Sequence, residues 1–404
     1  MAKVSSTPVG ALAKARAFAI DKRKDEFENI RVKMSVEDMK ESLPHVPSGS
    51  IIVDQLIGGI PNSFGVAPCP GFPRGRVSQI WGHESAGKTT LALSVAAQVC
   101  REGGTVLYID WENDIVPDYA MALGVPVTDE GKFELLQPDN LEDGIKYALI
   151  YAAAGVDLIV FDSVGAAIPR RLTDRDLADA AEQGKIGEVQ SIWSQELPNL
   201  KRIIARSGTA VIGISQVRAE IGKMGNGPTT KPQGGNAWKF YASVRLELRR
   251  VQYEQAKEMN NLTHKVEDKV SGCVVKVKAV KCKMSRSQGR EEIFYLRGGQ
   301  GIDNIRSILE IAIAHGMVKK STGGWLTWVK PDGSSVKVQG IDKLRNHMVE
   351  VKADYALLES MVKPVLGSGQ SAKQFVEEEG HEPVFGEDEA PGDLMGEVSG
   401  LLDD

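Results

Sequence analysis

Between an apolar run at 76–81 and a helix-patterned run at 88–101 stands Gly82-His83-Glu84-Ser85-Ala86-Gly87-Lys88-Thr89, and no other stretch constrains the fold as much. The pattern is G-x-x-x-x-G-K-[ST], set between a strand and a helix as that pattern requires. Glycine at both ends lets the backbone turn tightly, so successive N–H groups and the start of the following helix point at one anion. The loop is therefore expected to cradle phosphates, with the Lys88 amine at the β and γ phosphates and the Thr89 hydroxyl on Mg²⁺. Such a loop belongs at the edge of a sheet, which commits the surrounding chain to an α/β architecture.

The central region has that rhythm. Strand patterns at Arg76–Trp81, Thr105–Asp110, Asp157–Asp162 and Thr209–Ser215 alternate with helix patterns at Lys88–Arg101, Leu141–Ala154 and Glu188–Arg206. Continuous runs such as Leu158-Ile159-Val160-Phe161 suit parallel strands buried on both faces,. The fold class that follows is α/β, a doubly wound and mostly parallel sheet. Ser243–Arg250, Ser271–Met284 and Glu291–Arg297 read as three further strands, antiparallel to one another, that extend it,. Ahead of the core, Val9, Leu12, Ala15, Phe18, Ala19, Phe27 and Ile30 predict an amphipathic N-terminal helix within 8–31,. After it, a small C-terminal α/β domain is expected, with a helix over Ile305–His315 and a Trp325/Trp328 hairpin turning at Pro331-Asp332-Gly333,. The predicted organisation is a helical segment over 1–47, the core over 48–300, the small domain over 301–366 and a disordered acidic tail over 367–404,.

Composition narrows the setting. No apolar run approaches the roughly 20 residues that span a bilayer, and the N-terminus lacks a secretory pattern, so a cytoplasmic protein without a membrane partner is expected. Cys69, Cys100, Cys273 and Cys282 have no C-x-x-C spacing and read as buried or idle thiols,. The net charge of −5 conceals an asymmetry: eleven acids and no Lys or Arg follow Lys373, which leaves a body of about +6,. A basic body with an acidic tail suits a nucleic-acid binder whose tail competes with its ligand, and suits equally a tail that serves solubility.

A phosphate loop that hydrolyses its ligand needs one acid near the metal and another to orient or deprotonate water. Asp162 closes the strand Leu158–Asp162, and Glu112 follows Tyr108-Ile109-Asp110-Trp111 where an adjacent parallel strand would open onto the ligand. Glu112 is the candidate general base. Gln216, at the end of Val211–Gln216, is placed either to sense a γ-phosphate through its amide or to cap a helix.

These pieces, together with Gly234-Gly235-Asn236-Ala237-Trp238-Lys239-Phe240-Tyr241-Ala242-Ser243-Val244-Arg245-Leu246, closely resemble the RecA recombinase family over about residues 48–320. His83-Glu84-Ser85, Ala86-Gly87-Lys88-Thr89-Thr90, Ile109-Asp110-Trp111-Glu112 and Asp162-Ser163-Val164 match in order, and Gly301-Ile302-Asp303, Gly316-Met317-Val318 and Gly324-Trp325 resemble phage recombinases of the UvsX kind as well. The resemblance implies a RecA-like P-loop core and a DNA-dependent ATPase. Such an enzyme uses ATP and Mg²⁺, forms helical filaments of itself on single-stranded DNA, and pairs that strand with double-stranded DNA, alongside single-strand-binding and mediator proteins. It implies Glu112 as catalytic base, Asp162 on Mg²⁺, Gln216 as a γ-phosphate switch and Tyr119 stacked on adenine. It places Lys281 and Lys283 in a neighbouring protomer's ATP site, although on spacing alone they belong to a basic strand with a solvated face. Residues 217–238 would be the second DNA-binding loop, contacting backbone phosphates through Arg218, Gly234, Gly235 and Asn236, and the N-terminal helix would be the polymerisation element.

The chain also departs from the family. The stretch Thr173–Gly187, where the first DNA loop falls, matches only at Gly187; the second loop is one residue longer, with Gly225 at a usually aromatic position. Val116 stands where an acid is expected before Pro117, and Asn62–Gly71 is an extra segment ahead of the first strand. Two other functional classes compete: a helicase-type motor of the same fold, and a filament-forming binding protein that uses nucleotide only as a switch. The 234–246 stretch argues against the first, and Lys88, Glu112 and Asp162 together argue against the second.

Overall fold

The computed structural model describes residues 40–58, 61–129, 131–173, 182–219, 230–259 and 266–366. Two compact units are present, one of residues 1–41 with 62–66 and the other of 42–61 with 67–404. In the first, Asn62 closes a turn, its side-chain oxygen accepting from the Phe64 and Val66 amides at 2.9 and 3.2 Å. The expected 8–31 helix and the 367–404 tail lie outside the described residues.

The second unit opens with strand β1 (His45–Val46), helix α1 (Ile51–Gly58) and strand β2 (Phe72–Pro73), β1 and β2 pairing antiparallel. Then come β3 (Val77–Gly82), α2 (Lys88–Arg101), β4 (Val106–Asp110), α3 (Pro117–Ala122), β5 (Phe133–Leu136), α4 (Leu141–Ala154), β6 (Leu158–Asp162), α5 (Arg170–Thr173), α6 (Glu182–Ser207) and β7 (Ala210–Ala219). The chain continues through β8 (Thr230–Pro232), α7 (Asn236–Tyr241), β9 (Val244–Met259), β10 (Val266–Cys282), β11 (Glu291–Arg297) and β12 (Gly301–Ile302). A ten-stranded sheet runs in the order β12-β11-β10-β9-β3-β7-β6-β4-β5, with β8 on β7. From β9 to β5 the neighbours are parallel, and β10, β11 and β12 add antiparallel strands, as the sequence predicts.

Alternation within each parallel strand feeds two cores. Val106, Tyr108, Leu158, Val160, Ile212 and Ile214 pack on the face covered by α2, while Leu107, Ile109, Ile159, Phe161 and Val211 pack on the face covered by α4 and α6. Burying each such side chain contributes about 1.5–3 kcal/mol, so the doubly covered sheet is the main source of stability. Helix α4 starts where it is predicted because the Asn140 side chain accepts the Asp143 N–H at 2.9 Å, and it stops at Gly155 in the left-handed conformation,.

Beyond β12 come α8 (Asn304–Ala314), β13 (Val318–Ser321), β14 (Trp325–Val329), β15 (Ser335–Gln339), α9 (Ile341–Glu350) and α10 (Lys352–Leu366). The expected Trp325/Trp328 hairpin is present as β14 and β15, with β13 added as a third antiparallel strand.

Three expectations need correction. Strand β7 does not end near Gln216 but runs to Ala219 and pairs antiparallel with β8, Val217 opposite Pro232, so the expected second loop has a strand-paired base around 220–229. Helix α6 begins at Glu182, so 182–187 are helix instead of loop. Strands β9 and β10, at 16 and 17 residues, are much longer than the patterns at 243–250 and 271–284 suggest.

Candidate nucleotide and DNA site

The loop after β3 is built for an anion. Ser85 and Gly87 both have positive φ, at 55° and 85°, which turns the backbone inward ahead of α2,. Gly82 is required by close approach, because a Cβ there would run into the Leu248 carbonyl oxygen. His83, Glu84 and Ser85 are exposed, Ala86 and Lys88 are buried, and no side chain caps the first turn of α2. Uncapped N–H groups at a helix start, facing an exposed loop, fit a phosphate chain. Lys88 Nζ donates to the His83 carbonyl at 2.7 Å. Burial lowers its pKa, while Asp162, Glu112 and Glu84 oppose that shift.

Asp162 ends β6 beside this loop. Its Oδ2 accepts from Thr89 Oγ1 and from the Tyr108 hydroxyl, each at 2.8 Å. Burial pushes its carboxyl up to about 6, with those two donors lowering it and Glu112 and Asp110 raising it. A hydroxyl and a carboxylate oxygen side by side are the hard donors that Mg²⁺ takes when phosphates supply the rest of its shell. Among the described residues no group of three or more His, Cys, Asp or Glu is placed to hold a metal ion.

Glu112 stands one strand away. Gln216 Nε2 donates to both its carboxylate oxygens, at 3.0 and 3.2 Å. The turn carrying Glu112 is organised by Asp110, a residue that sequence reasoning missed: its carboxylate accepts the Glu112 and Asn113 amides at 3.0 Å each and the Gln137 amide at 3.2 Å. An Asp bonding to amides two and three residues on is the signal that was available. Tyr108, equally missed, sits in an apolar run that hides it. Arg250 was also unforeseen; it donates to the Ser85 carbonyl at 3.2 Å and stacks on Tyr253. Tyr119 is half-buried, with its hydroxyl 2.8 Å from Thr90 Oγ1.

The predicted DNA residues adjoin this site. Gln233 N–H donates to the Gln216 carbonyl at 2.8 Å. Gly234 and Gly235 then follow with φ of 91° and 82°, and Asn236 is exposed at the start of α7. Arg218 has a described backbone, paired with Lys231. Lys88, Thr89, Glu112, Asp162 and Gln216 thus converge, and Gly234, Gly235 and Asn236 lie next to them.

Lys281 and Lys283 do not join them. Lys281 pairs with Arg245, and the amide of Lys283 with the Ser243 carbonyl, at the end of β9 level with Ser78. Gly82 lies four residues further along β3, roughly 13 Å of strand,. The lysine pair is therefore at the opposite edge of the sheet. Lys281 Nζ donates to the Lys239 and Phe240 carbonyls at 2.9 and 3.0 Å, and burial with the neighbouring Lys283, Arg245 and Lys201 lowers its pKa.

A phosphate loop on a doubly wound sheet, with a carboxylate at each of two adjacent strand ends, defines the class as a P-loop nucleotide-binding protein. A sequence model of the RecA N-terminal domain matches residues 14–303. Protein RecA of Bifidobacterium breve is 36% identical over 335 residues, which cover 83% of this chain and 77% of that protein. The Lactobacillus johnsonii protein of that name is 33% identical over 379 residues, 94% and 95% of the two chains, and the Thermus thermophilus one 33% over 363 residues, 88% and 97%. The chain belongs to the RecA family, and its function is that of a recombinase in DNA recombination and repair. Among the described residues no helix is long and apolar enough to cross a membrane.

Proposed function

We propose that this chain hydrolyses ATP to ADP and phosphate in a helical filament of its own copies on single-stranded DNA, and that the filament pairs that strand with homologous duplex. The observation that carries this reading is the position of Gln216. Its side-chain amide holds Glu112, and its backbone carbonyl is bonded to Gln233, directly ahead of the Gly234–Asn236 segment. One residue thus touches both the hydrolytic carboxylate and the DNA segment.

In this reading the loop N–H groups of 82–87, Thr89 and Thr90 hold the phosphates, and Tyr119 adjoins the adenine. Lys88 exchanges its bond to the His83 carbonyl for the β and γ phosphates. Thr89 and Asp162 hold Mg²⁺, which supplies positive charge to the phosphate oxygens. Glu112 accepts the proton of the water that attacks the γ-phosphorus as the bond to the bridging oxygen breaks. Gln216 leaves Glu112 for the γ-phosphate and carries its own strand with it. Arg218, Gly234, Gly235 and Asn236 contact the DNA backbone, so binding is salt-sensitive and tolerant of sequence. The 1–47 segment serves self-assembly, the 367–404 tail competes with DNA, and the protein works in the cytoplasm.

Lys281 and Lys283, at the far edge of the sheet, act on the neighbouring copy's ATP. Lys281→Ala with Lys283→Ala should bind ATP as a protomer and lose DNA-stimulated turnover. Mixing it with Glu112→Gln should restore part of the activity, since one interface then combines an intact base with an intact lysine pair. No restoration in verified mixed filaments would refute shared catalysis.

A further inference from the structure

Four aromatic side chains run without a gap from the hydrolytic turn to the DNA segment. Trp111, between Asp110 and Glu112, stacks on Phe161 with centroids 5.7 Å apart and planes 8° apart. Phe161 immediately precedes Asp162. Trp193 of α6, fully buried, meets Trp111 and Phe161 edge-on at 6.3 and 5.2 Å. Trp238 of α7 meets Trp193 at 5.0 Å and Phe161 at 6.0 Å, two residues after Asn236.

The column is pinned along its length. Trp111 Nε1 donates to the Asn140 carbonyl at 3.3 Å, and a Cβ on Gly144 would run into its ring. Trp193 Nε1 donates to the Val164 carbonyl at 3.0 Å. Trp238 occupies the space that a side chain at Gly213 would need. The two glycines ahead of Asn236 rest on the same supports: a Cβ on Gly234 would stand 2.5 Å from Val164, and one on Gly235 2.5 Å from Gln190 of α6. At the other end the Trp111 N–H donates to the Asp162 carbonyl at 2.7 Å, so the ring and the backbone of both carboxylates move together. Interiors packed this closely do not absorb a displaced element; neighbouring rings must shift with it.

We propose that this column transmits DNA binding to the hydrolytic site: Trp238 receives the displacement of α7, and Trp111, a positioning residue, sets where Glu112 stands. The inference rests on the reading of the chain as a DNA-dependent ATPase. It adds a route through packed rings to the short one through Gln216, and the two are separable because the hydrogen bond and ring contacts of Trp193 go to Val164, Trp111, Phe161 and Trp238 and not to Gln216.

Trp193→Leu tests it. The ratio of DNA-stimulated to basal turnover should fall about tenfold, a usual size for coupling between sites, while basal turnover and DNA affinity with a non-hydrolysable ATP analogue stay within about threefold. Trp193→Phe, which keeps an aromatic edge, should recover most of the stimulation. A folded Trp193→Leu with full stimulation overturns the proposal, and so does parallel loss of basal turnover and DNA binding. If Trp193→Leu does not fold, the wild type decides: amide exchange over 108–113 should slow when single-stranded DNA joins the analogue complex, and unchanged exchange there overturns the column. A wild type whose turnover ignores DNA would instead defeat the ATPase reading itself.

Discussion

Replacing Tyr108 by phenylalanine removes one buried oxygen from beneath Asp162 and leaves the shape of strand β4 intact. That hydroxyl donates to Asp162 Oδ2 at 2.8 Å from a ring with no exposed surface. A hydrogen bond to an ionised partner contributes about 1.5–3 kcal/mol, and the phenyl ring keeps the packing, so unfolding free energy should drop by about 1.5 kcal/mol. The functional effect should be larger. With Tyr108 gone, Thr89 is the remaining side-chain donor to Oδ2, and it is itself a candidate metal ligand. Carboxylates that lose a supporting hydrogen bond typically lose about 10–100-fold in metal affinity. The Mg²⁺ concentration for half-maximal ATP turnover should therefore rise about tenfold in Tyr108→Phe, with turnover at saturating Mg²⁺ nearly unchanged. Urea unfolding and a Mg²⁺ titration of DNA-stimulated hydrolysis read the two effects. An unchanged half-saturation point in a folded variant would refute the support assigned to Tyr108.

Two further outcomes are expected. Burial pushes the Asp54 carboxyl from 3.8 up to about 7, against the lowering effect of Ser48, whose N–H donates to it at 2.8 Å. The fold thus favours the protonated acid, a contribution fully present below about 3.8 and lost progressively as pH rises through about 7,. Asp54→Asn should remove that slope, a change of less than about 4 kcal/mol because the residue keeps some contact with water, and identical pH dependence in urea titrations of both proteins would contradict it. A chain ending at Lys373 loses eleven acids and should bind duplex DNA more tightly at low salt, the gain shrinking as ionic strength rises; equal isotherms at low salt would leave the tail a solubility device,.

Helices α2 and α4 are legible in the sequence to the residue, because each is bounded by local chemistry: the phosphate loop ahead of Lys88, the Asn140 cap and the Gly155 stop. The β7–β8 hairpin was not, since its pairing joins Val217 to Pro232 across a Gly- and Pro-rich stretch whose composition reads as a loop. Helix α6 hides its first turn for a related reason: Gly184 and Gly187 lower local helix propensity, and the observed helix spans them all the same,. That Lys88, Thr89, Glu112, Asp162 and Gln216 lie close together could be read because parallel strands deliver their ends to one edge. Asp110 left only the local signal of an Asp heading a turn, and Tyr108 left none, because its importance lies in a hydrogen bond to another strand, which no spacing in the sequence encodes. The aromatic column is illegible for the same reason, with members in the turn after β4 and on β6, α6 and α7.

The polarity of the sheet carries a consequence for assembly. Parallel strands place Lys88, Glu112 and Gln216 at their C-terminal ends, and β10, antiparallel to β9, returns Lys281 and Lys283 to the other edge. No rearrangement short of breaking the sheet brings both sets together within one chain. If the lysine pair serves catalysis, it serves another copy, and the contact must join unlike edges. Joining unlike edges is a head-to-tail contact, which repeats indefinitely unless its rotation closes a ring. A filament built this way inherits its direction from the strand direction of β3. Each interior ATP then lies between the loop of one protomer and the lysines of the next, and hydrolysis becomes a property of the interface.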